Sequence, residues 1–209
     1  MKYEEYTIGK FVDELASDLP APGGGSVAAL CGALAAGLNV MVGSLTVGKE
    51  KYRDKWEIME SITKDSNELR AEFVRLMNED TESFNKYMAA LRMPKGTDAE
   101  KAARKAAMAE AAKGATDVPL RTLEACEKTA ALALVAAENG NINAASDAGC
   151  AALIADAAAK AASFNVRINL PGIKDEAFAA DVRWRMERAL AETAEYAAKT
   201  SKKMNEILR

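Results

Sequence analysis

The side chains available for acid–base chemistry are limited, because the chain of 209 residues contains no histidine. This absence excludes the usual zinc ligand, the Ser-His and Cys-His pairs of nucleophilic catalysis, and the commonest base near neutral pH. Cys31, Cys126 and Cys150 lie in apolar runs without CxxC spacing, and we interpret them as small buried hydrophobic residues. Proton transfer therefore falls to Asp, Glu, Lys, Tyr or bound water, and no metal site is predicted.

Polar side chains interrupt otherwise apolar segments at residues 141–147 and again at Asn165 and Asn169. Helix capping accounts for some of them, since Ser146 or Asp147 could cap the helix that follows. Asparagine offers a donor and an acceptor together, which suits an amide-like heterocycle such as a pterin. Asp80 lies inside a predicted long helix, where a solvent-facing carboxylate is commonplace, so its position alone does not indicate catalysis.

A Pro- and Gly-rich segment, PAPGGGS at residues 20–26, suits neither a helix nor a strand. Ser26 is predicted to cap the apolar helix that follows. Glycines that lead into a helix N-terminus can present backbone N–H groups to an anion or a carbonyl oxygen. A tight turn between two helices would also need glycine, so both interpretations are open.

Two nucleotide-binding patterns in the sequence lack their required context. Gly43, Gly48 and Lys49 match most of a P-loop, but Glu50 stands where Ser or Thr would bind magnesium, and no strand precedes the motif. Gly23-x-Gly25-x-x-Ala28 fits a loose dinucleotide fingerprint, yet a helix and a Pro-rich segment precede it. Neither pattern predicts nucleotide binding here.

Hydrophobic periodicity and capping signals predict helices throughout the first half of the chain. A short helix begins after Thr7 and stops at Pro20, and residues 53–91 form one long helix or two in line. Between them, an apolar helix runs from Ser26 to Val47. Residues 97–100, Thr-Asp-Ala-Glu, have the form of a capping box and open a helix that reaches about residue 116.

The second half is also predicted to be helical. Pro119 is placed in the first turn of a separate helix, capped by Asp117 and ended by Asn139-Gly140. An Ala-rich helix then reaches about residue 164, residues 165–171 form an irregular connection, and Asp175 caps a final helix. No convincing strand remains, so we predict an all-α fold, a compact bundle of about six to eight helices in one domain, 1–209.

Charge and hydropathy indicate a cytoplasmic protein that binds neither nucleic acid nor membrane. The 28 basic and 31 acidic residues are scattered, and the formal net charge is -3. The N-terminus has no apolar signal region. Residues 27–47 carry no charge and are long enough to cross a bilayer, but they lack an aromatic belt and flanking positive residues. We therefore predict a buried central helix.

Seven segments, in the same order along the chain, resemble the formiminotetrahydrofolate cyclodeaminase and methenyltetrahydrofolate cyclohydrolase family. They are PAPGGGSVAAL at 20–30, LTVGKEKY at 45–52, EDTESFNKYM at 79–88, PKGT at 94–97, VPL at 118–120, GNINAASDAGCAAL at 140–153 and NVRIN at 165–169. The resemblance implies an all-helical homodimer that binds a tetrahydrofolate derivative in a cleft close to the dimer interface, with no further cofactor. The apolar helix from Ser26 to Val47 is then expected to be buried by its own subunit and by the partner.

The resemblance also suggests roles for particular residues. Asp80 matches the family's D-x-x-x-F position and is expected to accept or donate the proton, with Asp147 as its partner or as a stabiliser of the cation. Lys49 is a candidate for the substrate's glutamate tail or for protonating a leaving nitrogen, although it is equally consistent with an ordinary basic residue at a helix end. The remaining candidates are expected to bind substrate: Gly23, Gly24, Gly25, Ser26, Asn143, Ser146, Asn165 and Asn169.

Three functions are compatible with the sequence. We expect hydrolysis of methenyltetrahydrofolate to 10-formyltetrahydrofolate as the main activity, because the family's bifunctional members pair deamination with a transferase domain for which this chain is too short. Residues 93–104 also look especially similar to stand-alone cyclohydrolases. Cyclodeamination of formiminotetrahydrofolate is the alternative enzyme activity. A non-catalytic helical protein that self-associates through Ala- and Gly-rich faces would explain the small residues but not the polar clusters.

Overall fold

Six α-helices contain most of the chain in the computed structural model, which describes residues 2–208. They are α1 (Ile8–Leu15), α2 (Gly24–Ser44), α3 (Trp56–Leu91), α4 (Asp98–Asn139), α5 (Ala145–Asn169) and α6 (Glu176–Ile207). Short 3₁₀ turns lie at Tyr3–Glu5, Glu50–Lys55, Ile142–Ala144 and Leu170–Gly172. Residues 2–208 contain no β-strand, so the predicted all-α bundle of about six to eight helices is confirmed.

Helix α2 is central, and its small residues allow α3 to pack closely against it. It contacts α3, α4 and α5, and it runs antiparallel to α3, since Gly25 faces Asp80 whereas Gly43 faces Thr63. A Cβ at Gly32 would lie 2.6 Å from Cδ1 of the fully buried Phe73 ring. Glycine at this position therefore sets the distance between the two helices, because any side chain would push them apart.

The predicted break near Pro119 is wrong, because α4 is one continuous helix of 42 residues with Pro119 inside it. Proline inside a helix costs about 3 kcal/mol, since it removes one hydrogen bond and its ring crowds the carbonyl four residues earlier. Burial of the residues that follow Pro119 outweighs this cost, since Leu120 and Leu123 in the next turn of α4 are fully buried in the main hydrophobic core. Tertiary packing therefore keeps the helix intact where the local sequence favours a new start.

Helix ends agree with the predictions where the signal is local. Thr97 and Glu100 form the predicted capping box, and Thr7 and Asp175 accept first-turn N–H groups as predicted. Other predicted ends are wrong. Helix α1 stops at Leu15 and not at Pro20, and α5 continues through Asn169, so residues 165–169 are helical and not an irregular connection.

Two predicted caps are also corrected. Helix α2 begins at Gly24 with Gly23 as its N-cap, and Ser26 is a fully buried residue of the first turn. Helix α5 has Ala144 as its N-cap without a side-chain hydrogen bond, so Ser146 and Asp147 lie within its first turn and cap nothing. Both serines and the aspartate are thus available for other contacts.

One side of the bundle, formed by α2 and α5, exposes apolar side chains. Its exposed members, which we call the α2–α5 face, are Leu34, Met41, Leu153, Phe164 and Ile168. Helix α2 is long and apolar enough to span a membrane by composition, but 56% of its apolar window is buried within the subunit. The three cysteines differ from the prediction that all are buried. Cys126 is buried and Cys31 is half-buried, but Cys150 lies exposed on α5, so the prediction is wrong for Cys150.

A candidate active site at the N-terminus of helix α2

A cavity of about 590 Å³ opens at the end of the bundle where α2 begins. This volume lies within the range of small-molecule sites in proteins. Four parts of the chain form its walls: the segment before α2, the second half of α3, the middle of α4 and the end of α5. The predicted site residues that line it are Gly23, Gly24, Gly25, Asp80, Asn165 and Asn169.

Asp80 projects from α3 onto the first turn of α2. The Ser26 hydroxyl donates a hydrogen bond to Oδ2 of Asp80 at 2.9 Å, and the Ser26 backbone N–H also donates to this carboxylate. First-turn N–H groups have no acceptor within their own helix, so Asp80 supplies one from 54 residues away. Ser26 therefore acts on the site by holding Asp80.

Gly25 makes this approach possible. A Cβ at Gly25 would lie 2.6 Å from Cγ and 2.8 Å from Oδ2 of Asp80, closer than side chains approach one another. By contrast, a Cβ at Gly23 would meet nothing within 4 Å. The three glycines of this segment are therefore not equivalent, and Gly25 is the one that the position of Asp80 requires.

Burial raises the pKa of Asp80 above the ordinary aspartate value, because the charged form loses solvation in the cavity wall. The two hydrogen bonds from Ser26 stabilise the carboxylate and act in the opposite direction, but the loss of solvation is the larger effect. A carboxylate with a raised pKa is a stronger base than an exposed one. Asp80 is therefore suited to take or return a proton nearer neutral pH.

Two carboxamides, Asn165 and Asn169, lie one helical turn apart on the face of α5 that lines the cavity. Nδ2 of Asn165 donates to the Ala161 carbonyl at 2.9 Å, and Nδ2 of Asn169 donates to the Ala115 carbonyl at 2.8 Å. In each amide one of the two N–H groups is thus bound to the protein, which fixes the orientation of the side chain. The oxygen of each amide is left to accept a hydrogen bond from a ligand.

The apolar wall of the cavity was not predicted from the sequence. Phe84, Tyr87 and Met88 follow Asp80 at helical spacing on α3 and line the same cavity. A flat heterocycle bound beside Asp80 would lie against these side chains. Their spacing from Asp80 is the signal that identifies them, but the same spacing is typical of core residues. Other lining residues outside the predicted set are Pro20, Ala21, Thr81, Ala112, Ala115, Ile168 and Gly172.

The remaining candidates, Lys49, Asn143, Ser146 and Asp147, lie at the opposite end of α2 from the cavity. Asn141, just before them, donates from its backbone N to Thr46 Oγ1 at 2.8 Å and from Nδ2 to the Leu45 carbonyl at 3.0 Å. Because α2 has 21 residues, about 30 Å separates its two ends. Within one subunit, therefore, Asp147 and Asp80 are not brought together.

Across residues 2–208, no group of three or more Cys, Asp or Glu side chains is placed to hold a metal ion. The residues around the cavity instead provide one carboxylate, two amide oxygens, first-turn backbone N–H groups and an aromatic wall. This set can bind a flat polar heterocycle and exchange one proton with it.

Comparison with known proteins gives one family. The profile of the formiminotransferase-cyclodeaminase family matches residues 7–188. The chain is similar to a methenyltetrahydrofolate cyclohydrolase of Methylorubrum extorquens, at 44% identity over 89% of both chains. It is also similar to the formimidoyltransferase-cyclodeaminase of Gallus gallus, at 33% identity over 91% of this chain but only 35% of that protein. A crystal structure of formiminotetrahydrofolate cyclodeaminase from Thermotoga maritima shares the fold, with a TM-score of 0.89, 30% identity and 99% coverage of both chains.

The raised pKa of Asp80 predicts how Asp80→Asn changes stability with pH. The native state holds the Asp80 proton more tightly than the unfolded state, so its contribution to stability is complete below the ordinary aspartate value, about 3.9, and is lost as pH rises. Asparagine does not titrate. The free energy of unfolding of the variant relative to the parent should therefore rise between pH 4 and pH 7, measured by urea denaturation.

Asp175→Asn is the matched control, because Lys113 and the first-turn N–H of Phe178 lower the pKa of Asp175. The contribution of Asp175 to stability is complete above about pH 5 and is lost as pH falls below the ordinary aspartate value, so the relative stability of this variant should stay nearly constant up to pH 7 and rise only at lower pH. A difference between Asp80→Asn and parent that stays constant over this range would contradict the assigned pKa shift.

Proposed function

The chain belongs to the formiminotransferase-cyclodeaminase family, and we propose that it hydrolyses 5,10-methenyltetrahydrofolate to 10-formyltetrahydrofolate. The observation that carries this proposal is the 44% identity to a methenyltetrahydrofolate cyclohydrolase over 89% of both chains. The site supports it, since Asp80 lies in a cavity with an aromatic wall and amide acceptors that suit a pterin. The substrate itself is the one-carbon carrier, and the proposal involves no other cofactor.

The reaction needs a base and a stabiliser of positive charge. The methenyl carbon lies between N5 and N10 and shares their positive charge. Water adds to this carbon while the ionised Asp80 carboxylate takes one of its protons. Asp80 then returns this proton to N5 as the bond from carbon to N5 breaks. The new hydroxyl group loses its own proton to solvent and becomes the formyl oxygen, and the formyl group stays on N10. The sum is one water consumed and one proton released, so a single carboxylate can serve both the transfer from water and the transfer to N5.

Cyclodeamination is the second candidate, and the 0.89 TM-score to the Thermotoga maritima cyclodeaminase favours it. In that reaction N10 attacks the formimino carbon on N5, and ammonia leaves. Both reactions pass through a tetrahedral carbon between the same two nitrogens, so one cavity suits either. The higher identity to the cyclohydrolase, 44% against 33% for the avian cyclodeaminase, makes hydrolysis our first choice.

A paired assay on the purified protein tests this choice. We expect loss of the methenyl chromophore to be faster by kcat/KM than release of ammonia from formiminotetrahydrofolate. Asp80→Asn should lower the hydrolytic kcat by roughly 10²–10⁴-fold, since asparagine is nearly isosteric but cannot exchange the proton. Binding of tetrahydrofolate, whose ring system carries no positive charge, should persist.

Each other outcome has a distinct meaning. Faster ammonia release would overturn the hydrolase assignment and leave the folate site intact. Full kcat in Asp80→Asn would remove Asp80 from the mechanism and direct attention to Asp147. If neither folate reacts with the parent protein, the non-catalytic alternative is favoured.

Gly25→Ala tests the requirement for contact between Asp80 and α2. The added methyl group must displace the Asp80 carboxylate, so we expect kcat to fall at least roughly tenfold, because small misplacement of a catalytic group is costly. Gly114→Ala is the matched control, since nothing lies within 4 Å of its Cβ and Gly114 does not line the cavity, and it should keep activity within about twofold of the parent. Equal effects of the two substitutions would mean that replacing a glycine, and not the contact with Asp80, lowers the activity.

We also propose that a second copy of the chain covers the α2–α5 face. Phe164 and Ile168 are 65% and 77% exposed in the single subunit, and Leu34 and Leu153 are both more than half exposed. Such a line of apolar side chains along two adjacent helices marks an interaction surface. Ile168 belongs both to this face and to the cavity wall, which supports a folate site close to the dimer interface. We assign this face to a second copy and not to lipid, in a cytoplasmic protein.

An antiparallel two-fold dimer would also bring together the two groups of candidate residues. The α2–α5 face extends from the cavity end of α2 to the end near Asn143 and Asp147. In a self-complementary interface with antiparallel α2 helices, one subunit's cavity would lie near Asp147 of the partner subunit. Lys49, Asn143 and Ser146 would accompany it and could take part in binding as first expected.

Mixing two inactive variants tests this arrangement. If each site combines Asp80 of one subunit with Asp147 of the other, random co-assembly of Asp80→Asn and Asp147→Asn chains restores one normal site in each mixed dimer. The mixture should then show roughly a quarter of the parent activity, because half of the dimers are mixed and half of their sites are intact. Light scattering should report a dimer that needs no detergent.

Failure can be recognised in three ways. A fully active monomer at micromolar concentration would exclude the dimer, and detergent dependence would favour a membrane location. If the two variants form mixed dimers and activity does not recover, Asp80 of one subunit and Asp147 of the other do not share one site.

A further inference from the structure

A proline inside α4 leaves one backbone carbonyl beside the cavity without its helical donor. Pro119 has no N–H, so the Ala115 carbonyl four residues earlier cannot accept the usual helical hydrogen bond. The pyrrolidine ring also crowds this carbonyl and disfavours its alignment with the helix axis. Ala115 lines the cavity, whereas Pro119, one helical turn further along α4, is buried and does not line it.

Asn169 supplies the missing donor from another helix. Its Nδ2 lies 2.8 Å from the Ala115 carbonyl, across a separation of 54 residues. This contact joins the middle of α4 to the last residue of α5, and both residues line the cavity. An unsatisfied carbonyl is costly when water is displaced, so the amide nitrogen is held there once a ligand fills the cavity.

A carboxamide whose nitrogen is occupied presents a fixed oxygen. With Nδ2 bound to Ala115, the amide cannot turn over without losing that hydrogen bond, and Oδ1 remains as an acceptor. Asn165, one turn earlier, has the same arrangement through its own helix carbonyl at Ala161. The two residues together give the α5 wall two acceptor oxygens of fixed orientation, which complement the ring N–H and amino groups of a pterin.

We propose that Pro119 is a positioning residue for folate binding: by lacking an N–H, it leaves the Ala115 carbonyl to Asn169 and so fixes Asn169 Oδ1 as an acceptor for the pterin. This inference rests on the proposed folate function. It explains why a residue that disfavours a helix interior stands in the buried middle of a 42-residue helix, one helical turn beyond Ala115 of the cavity wall. Pro119 itself touches no ligand in this account.

A double-mutant cycle tests the proposal. Pro119→Ala restores an N–H that competes for the Ala115 carbonyl and releases the Asn169 amide. We expect it to raise the Kd for tetrahydrofolate and the KM for the methenyl form roughly three- to tenfold, the effect of one hydrogen bond, with kcat within about twofold. Asn169→Ala should raise both by a similar factor. In the Asn169→Ala background, Pro119→Ala should then change neither constant.

Thermal denaturation separates this effect from misfolding, since alanine favours helix and should leave the Tm of Pro119→Ala unchanged or higher. Pro119→Ser serves as a second variant that also restores the N–H. Two results would overturn the proposal. The first is an equal rise in Kd from Pro119→Ala in the parent and in the Asn169→Ala background. The second is no rise in Kd from Pro119→Ala when Asn169→Ala does raise it. Absence of any folate binding by the parent would instead refute the proposed function, and this inference with it.

Discussion

The contact between the Asp80 carboxylate and the first turn of α2 is the constraint on which the site depends. Ser26 donates to this carboxylate from both its hydroxyl and its backbone N–H, and Gly25 leaves the space that the carboxylate needs. The arrangement gives α2 an acceptor for its N-terminal N–H groups and holds Asp80 in a wall where solvation is poor. Helix capping and proton chemistry therefore use the same atoms, so a change to either affects the other.

Close packing of small residues makes that contact possible. Alanine and glycine dominate the buried positions of α2 and α5, and α3 approaches α2 closely enough for Phe73 to fill the space above Gly32. Helices built this way have few large side chains to cover their outer surface, so the apolar residues that they do carry, such as Leu34 and Leu153, remain exposed on one side. The same composition that brings the helices together thus leaves an apolar face exposed, the one that we propose a second subunit covers.

Predictions from the sequence succeeded where the interacting residues lie close together along the chain, and they failed where the partner is distant or burial decides. The capping box of Thr97 and Glu100 was predictable because both partners lie within four residues. Ser26 was misjudged as a cap because its partner, Asp80, is 54 residues away, and Pro119 because burial outweighs its local preference. Asp80 itself was identified only through the family resemblance, and Tyr87 was missed because core and cavity residues share the same helical spacing. The separation of Asp147 from Asp80 depends on helix direction, which no local pattern encodes.

In the proposed hydrolysis, the charge of the substrate limits what Asp80 can contribute to catalysis. An ionised carboxylate attracts the methenyl cation in the ground state, and attraction that is equal in the ground and transition states does not raise kcat. In this proposed mechanism the carboxylate would therefore act through the proton that it takes from water, because that transfer develops only as the new bond forms. Binding of the cation also favours the ionised form of Asp80, which offsets the effect of burial on its pKa. Once the ring system of the formyl product has lost its positive charge, that attraction would end and burial would again favour the protonated acid, so the same change that completes the chemistry would weaken the hold on the product.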